Sequence, residues 1–121
     1  MNTKGDVLRA LKITSKKEVI KEVYFSKVKH NKIKGWKYHK KMTLRLCVPV
    51  GKVKFVFYDE KNFLEITIGE KNYKLIIVPA NIWFSFKGLS KVQSLIVNMP
   101  NILHSKNEQR TKKIKDIKYE F

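Results

Sequence analysis

The densest chemistry in this chain lies in the run Ile33-Lys34-Gly35-Trp36-Lys37-Tyr38-His39-Lys40-Lys41. Read as a strand, it places Lys37 and His39 on one face and Trp36 and Tyr38 on the other. A lysine and a histidine so placed can bind a phosphate or carry protons near neutral pH, where an imidazole titrates. Inside a barrel mouth they need solvent or partners, because an unpaired buried charge is costly. The plainer reading is an exposed edge strand whose lysines block aggregation. Other chemistries find no support in the spacing. No Ser/His/Asp set can be proposed, and no G-x-x-x-x-G-K-[ST] phosphate loop exists. His30, His39 and His104 do not pair with one another or with Cys47 at ligand spacing, so no metal is expected. A single cysteine also excludes an internal disulfide framework.

The elements that must position these residues read as β throughout. In Met42–Val50, Met42, Leu44, Leu46, Val48 and Val50 alternate with Thr43, Arg45, Cys47 and Pro49, the period of a half-buried strand. Val53, Phe55 and Phe57 continue the pattern to a polar turn at Asp59-Glu60-Lys61-Asn62. Phe63–Ile68 and Tyr73–Val78 flank Gly69-Glu70-Lys71-Asn72 and read as a hairpin. Glu22–Lys29 and Ile33–His39 read as a second pair around His30-Asn31-Lys32. Trp83–Phe86 and Val92–Asn98 complete seven or eight strands, which argues for an antiparallel sandwich or barrel. Ser15–Glu22 is a candidate helix, and Lys106–Ile117 reads as a polar tail or interface arm. With no linker, repeat or low-complexity tract, residues 1–121 form one all-β domain.

The charge is large for 121 residues: 27 basic against 10 acidic side chains, a net +17. At 43% hydrophobic residues a core can form, so disorder is not expected. Such a charge suggests nucleic acid first, but only Arg9, Arg45 and Arg110 are arginine, the residue suited to bidentate phosphate and base contacts. The lysines are spread along the chain, with one local density of seven between Lys27 and Lys41. No apolar run approaches the ~20 residues of a membrane-spanning helix, and the N-terminus lacks a signal-peptide apolar core. The expectation is a cytoplasmic protein with no membrane partner and no nucleic-acid partner.

Three blocks carry a resemblance: Gly35-Trp36-Lys37-Tyr38-His39-Lys40-Lys41, then Val50-Gly51-Lys52-Val53-Lys54 with Tyr58-Asp59, then Val78-Pro79-Ala80-Asn81-Ile82-Trp83-Phe84-Ser85-Phe86-Lys87-Gly88-Leu89. Their order and spacing resemble the dTDP-4-dehydrorhamnose 3,5-epimerase family of cupins. Lys4-Gly5-Asp6-Val7-Leu8 and the stretch from His104 through Glu108-Gln109-Arg110 to Tyr119-Glu120-Phe121 are similar too, so the resemblance spans nearly the whole chain. It implies a cupin jelly-roll β-barrel with short irregular or helical terminal segments. It also implies a homodimer, an active site without metal or cofactor, and a nucleotide-sugar ligand of deoxysugar or surface-polysaccharide biosynthesis. The chemistry implied is proton abstraction alpha to a C4 ketone followed by reprotonation.

The catalytic pattern departs from the family's at several points. Where the family carries Arg-Gly-aromatic/Leu-His, this chain has Lys34-Gly35-Trp36-Lys37, so a lysine replaces the usual base histidine. Leu44 falls at the enolate-stabilising lysine, and Phe84 replaces the histidine of the later block. A lysine with an ordinary pKa near ~10.4 is a poor base at pH 7 unless burial lowers it. His39 then stands as the acid/base, with Lys37 and Asp59 beside it as catalytic candidates. Lys34, Lys37 and Arg45 are expected to hold the diphosphate, and Trp36, Trp83 and Phe84 to stack on base or sugar. Two alternatives stay open: a nucleotide-sugar or carbohydrate-binding cupin that has lost catalysis, and a basic β-barrel that binds single-stranded nucleic acid through lysines and stacked aromatics.

Overall fold

The computed structural model of the protein describes residues 3–121 and contains nine strands. They are β1 (Tyr24–Val28), β2 (Ile33–His39), β3 (Leu44–Val50), β4 (Lys52–Tyr58), β5 (Phe63–Gly69), β6 (Ile76–Val78), β7 (Trp83–Gly88), β8 (Ser94–Asn98) and β9 (Gln109–Thr111). A 3₁₀ turn, Ile114–Asp116, follows β9. Two antiparallel sheets face each other, ordered β1-β8-β3-β6 and β5-β4-β7-β2-β9, which is the jelly roll expected. No helix among the described residues is long and apolar enough to cross a membrane.

Strand alternation builds the core. Val53, Phe55 and Phe57 of β4, Phe84 and Phe86 of β7, Leu44, Leu46 and Val48 of β3 and Ile96 of β8 meet between the sheets. Both outer faces are also covered. On the five-stranded sheet, Trp36, Val56 and Trp83 lie beneath Ile114, Ile117, Tyr119 and Phe121. On the other, Cys47, Val97 and Met99 pack with Ala10, Leu11 and Ile20. The terminal segments are therefore second layers over the barrel, held by apolar side chains.

Three local expectations are corrected. The β5 and β6 strands are not a hairpin: β5 pairs with β4, whereas β6 pairs with β3 in the opposite sheet. Likewise β1 and β2 are not paired, because the chain crosses sheets at His30-Asn31-Lys32. In both places a short polar spacer fits a sheet-to-sheet crossing as well as a tight turn. Ser15–Glu22 is not a helix. It makes one turn, with Glu18 N–H donating to the Ser15 carbonyl at 3.2 Å, and then runs extended. Ile20 is drawn onto the outer sheet face, and the Lys21 N–H is tied to the Pro100 carbonyl at 3.0 Å.

Candidate functional site

The site begins with an irregularity in β2. Against β7, Lys34 stands opposite Phe86 and Lys37 opposite Phe84, with the register slipping between Gly35 and Lys37. Directly opposed antiparallel residues project to the same side, and Phe84 and Phe86 belong to the interior cluster. Lys34 and Lys37 therefore both face inward. Strict alternation places residues three apart on opposite faces. The extra residue, Trp36, restores both lysines to one face and is itself turned outward into the layer beneath the C-terminal segment. Gly35 is required there by its φ of +139°. A Cβ at this position would lie 2.7 Å from both Cβ and Oγ of Ser85.

His39 ends the strand on the same inner face. Its ring stacks on Phe84 at 6.1 Å, it is only 4% exposed, and its Nδ1 lies 3.3 Å from Oε1 of Glu108. The Nδ1 makes no well-aligned hydrogen bond across this contact. Burial pushes the His39 imidazole below its ordinary pKa. The Glu108 carboxylate opposes that drop, and the positive charges of Lys37 and His104 add to it. The result is a histidine held neutral, with an anion placed to stabilise the imidazolium when a proton arrives.

Glu108 is itself anchored. Its Oε2 accepts the Lys41 N–H at 2.9 Å and its Oε1 the Met42 N–H at 3.0 Å. Both donors lie in the loop leaving His39, so one carboxylate fixes the loop and faces the ring. Lys37 is pushed below the ordinary lysine value by partial burial and by Lys34 nearby. Lys34 donates to the Lys27 carbonyl at 3.0 Å and lies 5.9 Å above the Phe86 ring. Both residues remain exposed. Two repelling cations above an apolar interior gain by taking up an anion between them.

The structure thus gathers His39, Lys37, Lys34 and Phe84, and it places the other candidates elsewhere. Arg45 does not join the site. It alternates with the inward Leu44 and Leu46 and lies on the outer face of the four-stranded sheet, opposite Ile77. Trp36 is fully buried on the outside, its Nε1 donating to the Ile114 carbonyl at 3.3 Å. Trp83 packs beside Tyr38, 5.0 Å between rings, with Lys112 over its face at 4.7 Å. Neither indole is open to a ligand. Asp59 caps the β4–β5 turn. Its Oδ1 accepts from Lys61 N–H at 2.9 Å and Asn62 N–H at 2.7 Å, and these bonds lower its pKa.

Sequence reasoning missed Glu108 as a site residue, since it lies 69 positions from His39 in a lysine-rich tail. Among the described residues, no group of three or more His, Cys, Asp or Glu stands together as a metal site. A cleft of about 650 Å³ lies at the other end of the barrel, lined by Gly51, Lys52, Gly69, Glu70, Asn72 and Ser90 among others. Glu70 there is already bonded to the Gly51 N–H at 2.8 Å.

Neither the family models nor the curated proteins gave a match. Solved structures did. A dTDP sugar isomerase from Desulfovibrio desulfuricans G20 superposes with a TM-score of 0.86 at 31% identity, covering 93% of this chain and 78% of its own. QdtA, a sugar 3,4-ketoisomerase from Thermoanaerobacterium thermosaccharolyticum in complex with TDP, follows at 0.66 and 20%, covering 75% and 66%. A dTDP-4-dehydrorhamnose 3,5-epimerase from Sulfolobus tokodaii gives 0.71 and 15%, covering 84% and 63%. The latter two, at such identities, speak to the fold alone.

Proposed function

The chain belongs to the dTDP-sugar isomerase and 3,5-epimerase-like family of cupins, and from that premise we propose that it binds a dTDP-linked 4-keto sugar and isomerises it by proton transfer. The observation that carries this reading is His39, buried on the barrel's inner face, neutral, and backed by the anchored carboxylate of Glu108. In the proposed step His39 takes a proton from the carbon alpha to the ketone. The C–H electron pair moves into the carbonyl, and the enolate oxygen is stabilised by the Lys37 ammonium. Glu108 stabilises the imidazolium until His39 returns the proton at a different position on the same face. Lys34 holds the diphosphate as a charge-assisted donor, with Phe84 as an apolar wall behind the imidazole. The protein acts in the cytoplasm as a homodimer, in the making of a deoxysugar or surface polysaccharide.

Solvent exchange tests this reading. Incubated in D₂O with dTDP-4-keto-6-deoxyglucose, the wild type incorporates deuterium at C3 or C5, and His39→Ala, still folded, does not. Binding of dTDP without any exchange would reduce the protein to a nucleotide-sugar-binding cupin. A wild-type exchange rate in His39→Ala would remove His39 from the mechanism.

A further inference from the structure

The four-stranded sheet sends a second polar pair into the barrel. Asn98 of β8 stands between Leu46 of β3 and Tyr24 of β1. Leu46 belongs to the interior cluster, so Asn98 and Tyr24, in register with it, project inward as well. The Asn98 Nδ2 donates to the Tyr24 hydroxyl oxygen at 2.9 Å. Its Oδ1 is buried without a partner, in a residue only 7% exposed. Turning the amide over lets Tyr24 donate to the oxygen but strands the nitrogen, so one polar atom is unspent in either orientation. A buried amide with an unmade hydrogen bond is destabilising, unless the bond is completed by something that enters.

This pair sits at the same end of the barrel as His39. The chain beyond Asn98 reaches Asn101, which exchanges hydrogen bonds with Thr43, in the loop that leaves His39. The His104 N–H donates to Glu22, two residues before Tyr24, at 3.2 Å. The charge of His104 in turn acts on His39. Tyr24 is only half-buried, whereas the Asn98 Oδ1 beside it is buried. Its surroundings, burial first and then Glu22, raise the phenol's pKa and keep its proton in place.

We propose that Tyr24 and Asn98 are a hydroxyl-binding pair that takes one sugar hydroxyl of the nucleotide-linked ligand. A hydroxyl donates and accepts at once: its hydrogen meets the free Asn98 Oδ1, and its oxygen accepts from the Tyr24 O–H, whose proton the amide does not use. The pair lies on the sheet opposite Lys34 and Lys37, so it reads a sugar hydroxyl and leaves the diphosphate to Lys34. The inference rests on the nucleotide-sugar reading above.

The test is calorimetric titration of the full chain with dTDP-glucose and with dTDP alone. The wild type is expected to bind dTDP-glucose more tightly than dTDP. Tyr24→Phe, which removes one hydroxyl and keeps the ring, is expected to weaken dTDP-glucose binding about five- to tenfold and leave dTDP unchanged. Asn98→Leu, checked for folding by circular dichroism, is expected to do the same. A Tyr24→Phe protein that keeps the wild-type preference, or loses affinity equally for both ligands, overturns the pair and leaves the nucleotide-sugar reading intact. A wild type that binds both ligands equally refutes the pair alone. One that binds neither refutes both inferences.

Discussion

Removing the Glu108 side chain is the perturbation with the most legible cost. The carboxylate accepts the Lys41 N–H at 2.9 Å and the Met42 N–H at 3.0 Å, and Met42 is buried. Hydrogen bonds to a charged acceptor contribute about 1.5–3 kcal/mol each. Glu108→Ala breaks two and leaves at least the buried Met42 donor without a partner, so the expected loss is about 3–5 kcal/mol. That is a large share of the roughly 5–15 kcal/mol that holds a domain together. Trp36 and Trp83 are both buried, so urea unfolding can be followed by their fluorescence. With a urea slope of roughly 1.5 kcal/mol per molar, the midpoint should fall by about 2–3 M. Glu108→Gln retains an acceptor for one N–H and should fall between the two. It should also slow solvent exchange beyond its effect on folding, because the imidazolium of His39 loses its counter-charge. A midpoint shift below about 0.5 M for Glu108→Ala would refute the reasoning, since the loop would then not depend on that carboxylate.

Two further outcomes follow from the geometry. His39 has a folded-state pKa below its unfolded value, so as pH falls through about 6.5 the unfolded chain takes up a proton that the folded one refuses. Stability should therefore decline with acidification in that window, and denaturant midpoints measured from pH 7.5 to 5 should show a shallower decline in His39→Gln. Gly35→Ala forces a side chain into φ +139° and to 2.7 Å from Ser85, at a cost of roughly 2–5 kcal/mol. A thermal melt within 2 °C of wild type, about the shift of a sub-kcal/mol change, would show that the β2 irregularity is not fixed by glycine.

Much of the site's scaffold was legible in the sequence. The alternation in Met42–Val48 and Val53–Phe57 separated inward from outward residues, and Lys37 with His39 opposite Trp36 with Tyr38 came from the same period of two. Val50 falls out of the pattern, because the register slips after Cys47 and leaves it exposed opposite Leu95. The pairing partners of those strands were less legible. A four-residue polar spacer such as Gly69-Glu70-Lys71-Asn72 serves a hairpin or a crossing between sheets, and only the packing of β5 on β4 and β6 on β3 decides which. The same limit governed the aromatics. Trp36, Trp83 and Phe84 share a residue class and a strand environment, yet one lines the interior and two are sealed beneath the C-terminal layer.

By itself the sequence determined that the chain folds as a β jelly roll and that its motif order resembles sugar-nucleotide cupins. These follow from local periodicity and from residue types at short spacing. The tertiary structure alone decided that Lys34 joins Lys37 through the bulge at Trp36, that Glu108 arrives from the far end of the chain to face His39, and that Arg45 and the two indoles turn away. Each depends on which strands become neighbours, a choice set by burying both outer faces as well as the core. No short window of sequence contains it.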